Sequence, residues 1–322
     1  MQFGIETNIG VDLFDELGPL SGLFNPASRI FWFYLLTAFT IALAVYIVQE
    51  KKRNAPSVLK YLFPKEILLH RSAIVDYFYF IINSVIFFLF LGPLMLSTNW
   101  VAERSQEIFE SLGAPAGLLE ISPWIVSAAL LVAMDLALYL AHYLSHKIPT
   151  LWEFHKIHHS AEVLTPITVF RMHPVDDILN MTLSALSVGV TAGFLEQIGV
   201  GPLSLYLVSG VNVFLVAYYV FGYNLRHSHI WLSYGSILSR VLISPAQHQI
   251  HHSSLSRHWD KNFGFIFSLW DWFFGTLYVP QTKENFPLGI GGEEKEYSSV
   301  WRLYELPFVK SFKRLFSSRI NK

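Results

Sequence analysis

Two uninterrupted apolar runs constrain this chain more than any other feature. Ile30–Val48 carries no charge over 19 residues, and Tyr77–Leu96 none over 20. A helix needs about 20 apolar residues to cross a bilayer, so each run predicts a membrane span. Pro123–Leu144 is a third such run, although it contains Asp135 and His142. Ile178–Phe194 and Leu203–Tyr223 follow, separated by the turn EQIGVGP, and read as a helical hairpin. Whether that hairpin crosses the bilayer or re-enters halfway is left open by hydropathy. Only 15% of residues are charged, against about 25% in soluble domains, and mean hydropathy is +0.40. The expected fold class is therefore all-α: a polytopic membrane helical bundle, treated as one domain over residues 1–322. The net charge of -1 gives no support to a nucleic-acid partner.

Lysine and arginine near the span ends predict topology. Lys51, Lys52, Arg53, Lys60, Lys65 and Arg71 mark segment 51–71 as cytoplasmic. Segment 99–121, with Arg104 and four glutamates, is expected as a loop on the opposite side. The tail, about 300–322, carries Lys310, Lys313, Arg314, Arg319 and Lys322 among Phe308, Phe312, Leu315 and Phe316. That spacing predicts a basic amphipathic helix lying on the cytoplasmic surface. The N-terminus is acidic (Glu6, Asp12, Asp15, Glu16) and lacks the basic start of a cleavable signal. The expected location is an integral, multi-pass membrane protein, in the cytoplasmic membrane if bacterial.

Histidine is the anomaly. The chain has 13, and no cysteine, which excludes disulfides, cysteine-ligated zinc and iron–sulfur clusters. His142 and His146 form HxxxH at the end of the third span. His155, His158 and His159 form HxxHH, and His248, His251 and His252 form a second HxxHH. Residues three and four apart share a helix face, so each motif can aim imidazoles at a metal. The eight nitrogens exceed the four that a structural zinc needs, which argues for two metal ions with open positions. Imidazole ligation suits iron, zinc, copper or nickel, not magnesium or calcium. Asp135 sits two turns before His142. An acid within a span is costly, and its expected job is to accept the free ring N–H of a ligating histidine. Asp176 and Asp177 precede an apolar helix and read first as helix caps, second as acceptors for a ligating ring.

The order AHYLSH, EFHKIHHS, AQHQIHH resembles the fatty acid hydroxylase/sterol desaturase superfamily of membrane di-iron oxygenases, in particular its bacterial sterol-desaturase-like members. The similarity runs from about 135 to 280 and includes LWEFHKIHHSAEVLTPITVFRMHP, NLRHSH and NFGFIFSLWDWFFGTLYVP. The resemblance implies two iron ions, for which zinc can substitute on overproduction, with O2 as co-substrate and a lipid substrate (sterol, fatty acyl or ether lipid). It implies hydroxylation or desaturation of an unactivated C–H position, with the metals in a cytoplasmic His-rich helical cap. The implied ligands are His142, His146, His155, His158, His159, His248, His251 and His252. His229 is added between the second and third boxes, with His227 as the alternative, and His173 as a further ligand or supporting residue. No cytochrome b5-like domain is evident, so the expected electron donor is a separate reductase, ferredoxin or cytochrome b5-like protein, or a reduced pterin as in the similar alkylglycerol monooxygenases. Aromatic-rich Phe263–Tyr278 reads as a membrane-dipping wall or as ordinary interfacial anchoring. The competing readings are a di-zinc membrane hydrolase, which needs a carboxylate base, and a His-rich metal transporter or binder, whose site belongs near the bilayer midplane.

Overall fold

The computed structural model describes residues 18–50 and 56–320. The acidic N-terminus, Lys51, Lys52, Arg53 and Lys322 lie outside the described residues. The chain is mostly helical. The principal helices are α1 (Trp32–Val45), α2 (Arg71–Ile86), α3 (Thr98–Ser111), α4 (Pro123–Lys147), α5 (Pro149–His159), α6 (Pro174–Ile198), α7 (Val213–Val220), α8 (Pro245–His251), α9 (Leu269–Phe273) and α10 (Val300–Ile320). Proline opens α4, α5, α6 and α8. Its fixed φ suits the first helical turn, and its missing N–H costs nothing there. At α8 a capping box adds to this: Ser244 and Gln247 exchange side-chain-to-backbone bonds.

Among the described residues four helical stretches are long and apolar enough to cross a membrane: Trp32–Gln49, a window within Arg71–Ser111, Pro123–Lys147 and Pro174–Ile198. The fifth apolar run is not a spanning helix. Ser209 and Gly210 both adopt positive φ, 49° and 79°. They close a two-residue hairpin between β1 (Leu207–Val208) and β2 (Val211–Asn212). Helix resumes only at Val213, capped by Asn212, and runs 8 residues, about 12 Å at helical rise. The helical hairpin expected over 178–223 therefore has one long limb, not two.

Segment 99–121, expected as a loop, is largely helix. α3 turns Val101, Ala102 and Ser105 inward against α6, and two glycines one turn apart on α6 let the backbones meet. A Cβ at Gly189 would stand 2.6 Å from the Val101 Cβ, and one at Gly193 would stand 2.4 Å from the Ala102 carbonyl oxygen. Small residues at this spacing allow membrane helices to approach closely. Gly193→Val is expected to cost about 1–3 kcal/mol by forcing α3 away. A thermal melt in detergent that matches wild type would sink this packing argument.

A fully buried guanidinium ties the spans to the histidine-bearing region. Arg171 pairs with Asp76 of α2 (Nη1 to Oδ1, 2.7 Å), donates to the Ile157 carbonyl (2.7 Å) and to Ser160 Oγ (2.8 Å), and reaches the Tyr297 carbonyl (3.3 Å). Thr168 Oγ1 completes the other oxygen of Asp76 at 2.8 Å. α10 lies along α5. Lys310 and Lys156 share Glu293, and Arg314 pairs with buried Glu153. Phe308, Phe312, Leu315 and Phe316 of the same helix stay exposed.

Candidate metal centre

The three histidine motifs and one further residue converge into two groups. His142, His146, His155, His159 and His251 form the first; His158, His227, His248 and His252 form the second. Within each group the donor atoms lie within 4.8 Å of one another. Helical geometry explains the partition. In each HxxHH the residues at i and i+4 face one group, while the one at i+3, a turn's fraction away, faces the other. α5 sends His155 and His159 to the first group and His158 to the second; α8 sends His248 and His252 to the second and His251 to the first. Each helix thus serves both groups. α4 contributes both of its histidines to the first.

Hydrogen bonds decide which nitrogen points inward. His142 Nδ1–H donates to the Phe263 carbonyl and His251 Nδ1–H to the Lys261 carbonyl, each at 2.8 Å. A carbonyl can only accept, so the proton sits on Nδ1 and the Nε2 lone pair is free. His155 Nδ1 lies 3.4 Å from Asp176 Oδ2, and His146 Nδ1 lies 3.7 Å from Asp260 Oδ1. The Nε2 atoms of His142, His155 and His251 are buried without a hydrogen-bond partner. Leaving such atoms unpaired in a protein interior is costly. In the second group, Nε2 of His227 stands 3.2 Å from that of His158 and 3.0 Å from that of His248. Two neighbouring nitrogens about 2.1 Å from one ion would be about 3.0 Å apart at a right angle and about 3.4 Å apart at the tetrahedral angle. The orphaned lone pairs and these spacings fit a metal ion in each group.

The segment 261–267 holds the first group in register. Its carbonyls orient His142 and His251, and its remaining polar groups are bound from behind. Asp271 accepts from the Phe263 and Gly264 amides (2.8 and 2.9 Å). Asp135 accepts from the Ile266 and Phe267 amides (2.6 and 3.1 Å) and from Trp270 Nε1 (2.8 Å). Buried Arg226 donates to the Phe265 and Gly264 carbonyls (3.0 and 3.2 Å). Phe263 itself packs on His142, His146 and His251, and Trp152 covers His146 and His159.

Several expectations need correction. His229 joins neither group: its Nε2 bonds the Tyr61 carbonyl at 2.7 Å. His227 occupies the place expected for it. His173 is also outside both groups; it caps α6, accepting from Val175 N through Nδ1, and its Nε2 lies 3.4 Å from the Tyr304 carbonyl. Because His173 takes the cap, Asp176 is left to face His155, the role ranked second for it above. Asp135 touches no histidine and acts on the backbone of 266–267 instead. Arg226 and Asp271 sat inside the motif segments, but residue type alone carried no signal of their backbone partners.

Burial lowers the proton affinity of these rings, and neighbouring positive charge adds to it. His251 is brought down to about 3, and His158, His159, His227, His248 and His252 fall well below the ordinary imidazole range. All are neutral at pH 7, as metal binding requires. The folded value lies below the unfolded one, about 6.5, so the unfolded chain binds the proton first. The stability contributed by neutral His251 is complete above about pH 6.5 and falls by about 1.4 kcal/mol per pH unit below it, until the folded value is reached. Metal-stripped protein is therefore expected to melt at lower temperature at pH 5.5 than at pH 8. An unchanged melting temperature across that window would contradict the burial argument.

Residues 127–276 match the fatty acid hydroxylase family. That segment, just under half of the chain, contains all nine grouped histidines. Among curated proteins, an ornithine lipid hydroxylase of Rhizobium tropici is 28% identical over 164 residues, 51% of this chain and 45% of the relative. The human alkylglycerol monooxygenase is 26% identical over 162 residues, 50% of this chain and 32% of the relative. A delta(7)-sterol 5(6)-desaturase of Aspergillus fumigatus is 27% identical over 173 residues, 49% of this chain and 51% of the relative. The matched region thus spans about half or less of each relative's length. No solved structure matches the chain.

Proposed function

We propose that the chain is a membrane-bound, non-haem di-iron oxidoreductase that uses O2 to hydroxylate or desaturate an unactivated C–H position of a lipid. The observation that carries this reading is the pair of adjacent, buried, all-imidazole donor groups with unpaired inward-facing nitrogens. His142, His146, His155, His159 and His251 would hold one iron, and His158, His227, His248 and His252 the other. Iron so bound supplies O2 activation and oxidation of the C–H bond. Zinc suits the same nitrogens and can replace iron on overproduction. A zinc hydrolase fits less well, because neither donor group contains a carboxylate.

The chain's own contribution is orientation and dryness. The Lys261 and Phe263 carbonyls keep the ring protons on Nδ1 of His251 and His142, so those rings cannot turn. Phe263 and Trp152 shield the donors from water. An apolar cleft of about 150 Å³ runs between Leu35, Ala38, Phe39 and Ala42 of α1 and the segment around Leu225, His229 and Ile230. It opens on a spanning helix and suits an alkyl chain arriving from the bilayer. The lipid relatives support a lipid substrate. The basic residues Lys60, Lys65 and Arg71, together with the basic tail, support a cytoplasmic metal site reached by a separate electron donor, either a redox protein or a reduced pterin.

Accurate-mass lipid profiling of cells expressing wild type and His251→Ala tests the reading, with iron measured on both purified proteins. A wild-type-only lipid one oxygen heavier establishes hydroxylation, and one lighter by two hydrogens establishes desaturation. Matching profiles at equal expression, with iron bound to the wild type, would overturn it.

A further inference from the structure

Outside the metal centre, one exposed apolar surface is built from two segments distant in sequence. Residues 239–243 pair with 266–268: Leu242 bridges Phe267, Ser268 N–H donates to the Val241 carbonyl (3.0 Å), and Ser268 Oγ–H donates to the Ser239 carbonyl (3.0 Å). Arg240 on the first segment and Trp272 near the second line one cleft, and both stretches carry exposed apolar side chains: Ile237, Leu238 and Val241 on one, Trp272, Phe273 and Phe274 on the other. Ile237 is 82% exposed, Phe273 77% and Trp272 70%. Isolated exposed apolar residues are ordinary; a cluster of large ones marks an interaction surface.

Its height relative to the membrane is set by α4. The Phe274 ring stacks on Tyr139 (5.3 Å between centroids) and faces Tyr143 (6.4 Å). The Trp270 indole is held by Asp135. Tyr139 to Lys147 are the last turns of a spanning helix, so the ridge lies where the apolar core gives way to headgroups. Tryptophan and tyrosine concentrate at that depth.

Arg240 and Lys261 bring positive charge to the same surface. Arg240 lines a cleft of about 470 Å³ with Trp272, Gly275, Leu277, Val279 and Gln281. Among the described residues the Arg240 guanidinium has no hydrogen-bond or ion-pair partner, and the residue is exposed. Lys261 Nζ reaches the Gly275 carbonyl at 3.5 Å, whereas Lys147, 5.8 Å from the centre of the Tyr143 ring, is paired with Asp260 at 2.6 Å. No acidic side chain lines the cleft.

We propose that segments 237–241 and 269–279 form a lipid-surface site separate from the metal centre: the aromatic ridge enters the bilayer face, and Arg240 binds the phosphate of an anionic phospholipid in the adjoining cleft. A guanidinium beside an apolar ridge matches a ligand that is anionic at one end and apolar at the other. The site does not depend on the reaction proposed above, since neither iron nor oxidation enters it.

Native mass spectrometry of the purified full chain, titrated with phosphatidylglycerol or phosphatidylcholine, tests the assignment. R240Q is expected to weaken phosphatidylglycerol binding about fivefold, the effect of about one basic residue at an anionic surface. R104Q, which alters an exposed arginine paired with Glu107 on α3, is expected to leave it unchanged. The double variant W272S/F273S is expected to lower retention of both lipids. Millimolar inorganic phosphate is expected not to displace the lipid; displacement would make this a soluble-anion site and overturn the proposal. Wild-type lipid retention by R240Q would overturn it as well. So would unchanged lipid retention combined with weaker docking of a redox protein, which would make the ridge a protein interface.

Discussion

Replacing His227 with alanine is expected to remove one of two bound metal ions and to lower lipid oxidation by more than about 100-fold, beyond the 10–100-fold typical of residues that only support a ligand. His227 stands at the middle of the second group, its Nε2 at hydrogen-bond distance from those of both His158 and His248, so its loss opens the centre of that donor set. His229→Ala, two residues away, removes only the bond to the Tyr61 carbonyl. That change is expected to cost about 1 kcal/mol of stability and to leave metal content intact. Elemental analysis of both purified variants, with turnover measured alongside, checks the pair. If His229→Ala lost the metal and His227→Ala kept it, the partition of the histidines described above would be wrong.

Arg171→Met is expected to destabilise the protein by about 3–5 kcal/mol, the range for breaking a buried ion pair by removing one partner. The substitution strands Asp76 in the interior and releases Ile157 and Ser160, which end the helix carrying His155, His158 and His159. Loosening there is expected to reduce metal retention as a consequence of altered packing, without touching a donor atom. The double variant Asp76→Asn/Arg171→Met is expected to recover part of the loss, because no uncompensated charge remains. Thermal unfolding of the three proteins measures the effect. A single variant as stable as wild type would show that the network contributes little.

The two predictions differ in how far they were visible in the sequence. Two HxxHH motifs and an HxxxH already pointed to a nitrogen-rich cluster, because helical periodicity gathers imidazoles three and four residues apart. The sequence does not say which ring serves which ion: that depends on how α4, α5 and α8 face one another. The HxH pair shows the limit most sharply. Residues two apart share a face in a strand but not in a turn, so the HxH spacing does not say which of His227 and His229 enters the site, and only the path of the surrounding chain selects between them. Arg171 and Asp76, 95 positions apart, carried no local signal at all.

Hydropathy by itself marked Ile30–Val48, Tyr77–Leu96, Pro123–Leu144 and Ile178–Phe194 as candidate spans, and each falls on a helical stretch long and apolar enough to cross a membrane. It misjudged 203–223, where apolar content was sufficient but Ser209 and Gly210 in left-handed conformations turned the chain back. Local composition also determined the chemistry of the donors and the absence of thiolate ligands. The tertiary structure alone decided what each buried acid does. Asp135 was expected to hold a histidine and holds the backbone of 266–267; Asp176 was expected first to cap a helix and faces His155 instead. The physical reason is common to both. A carboxylate in a membrane bundle must find donors, and which donors come within reach is set by long-range packing, not by its neighbours in sequence.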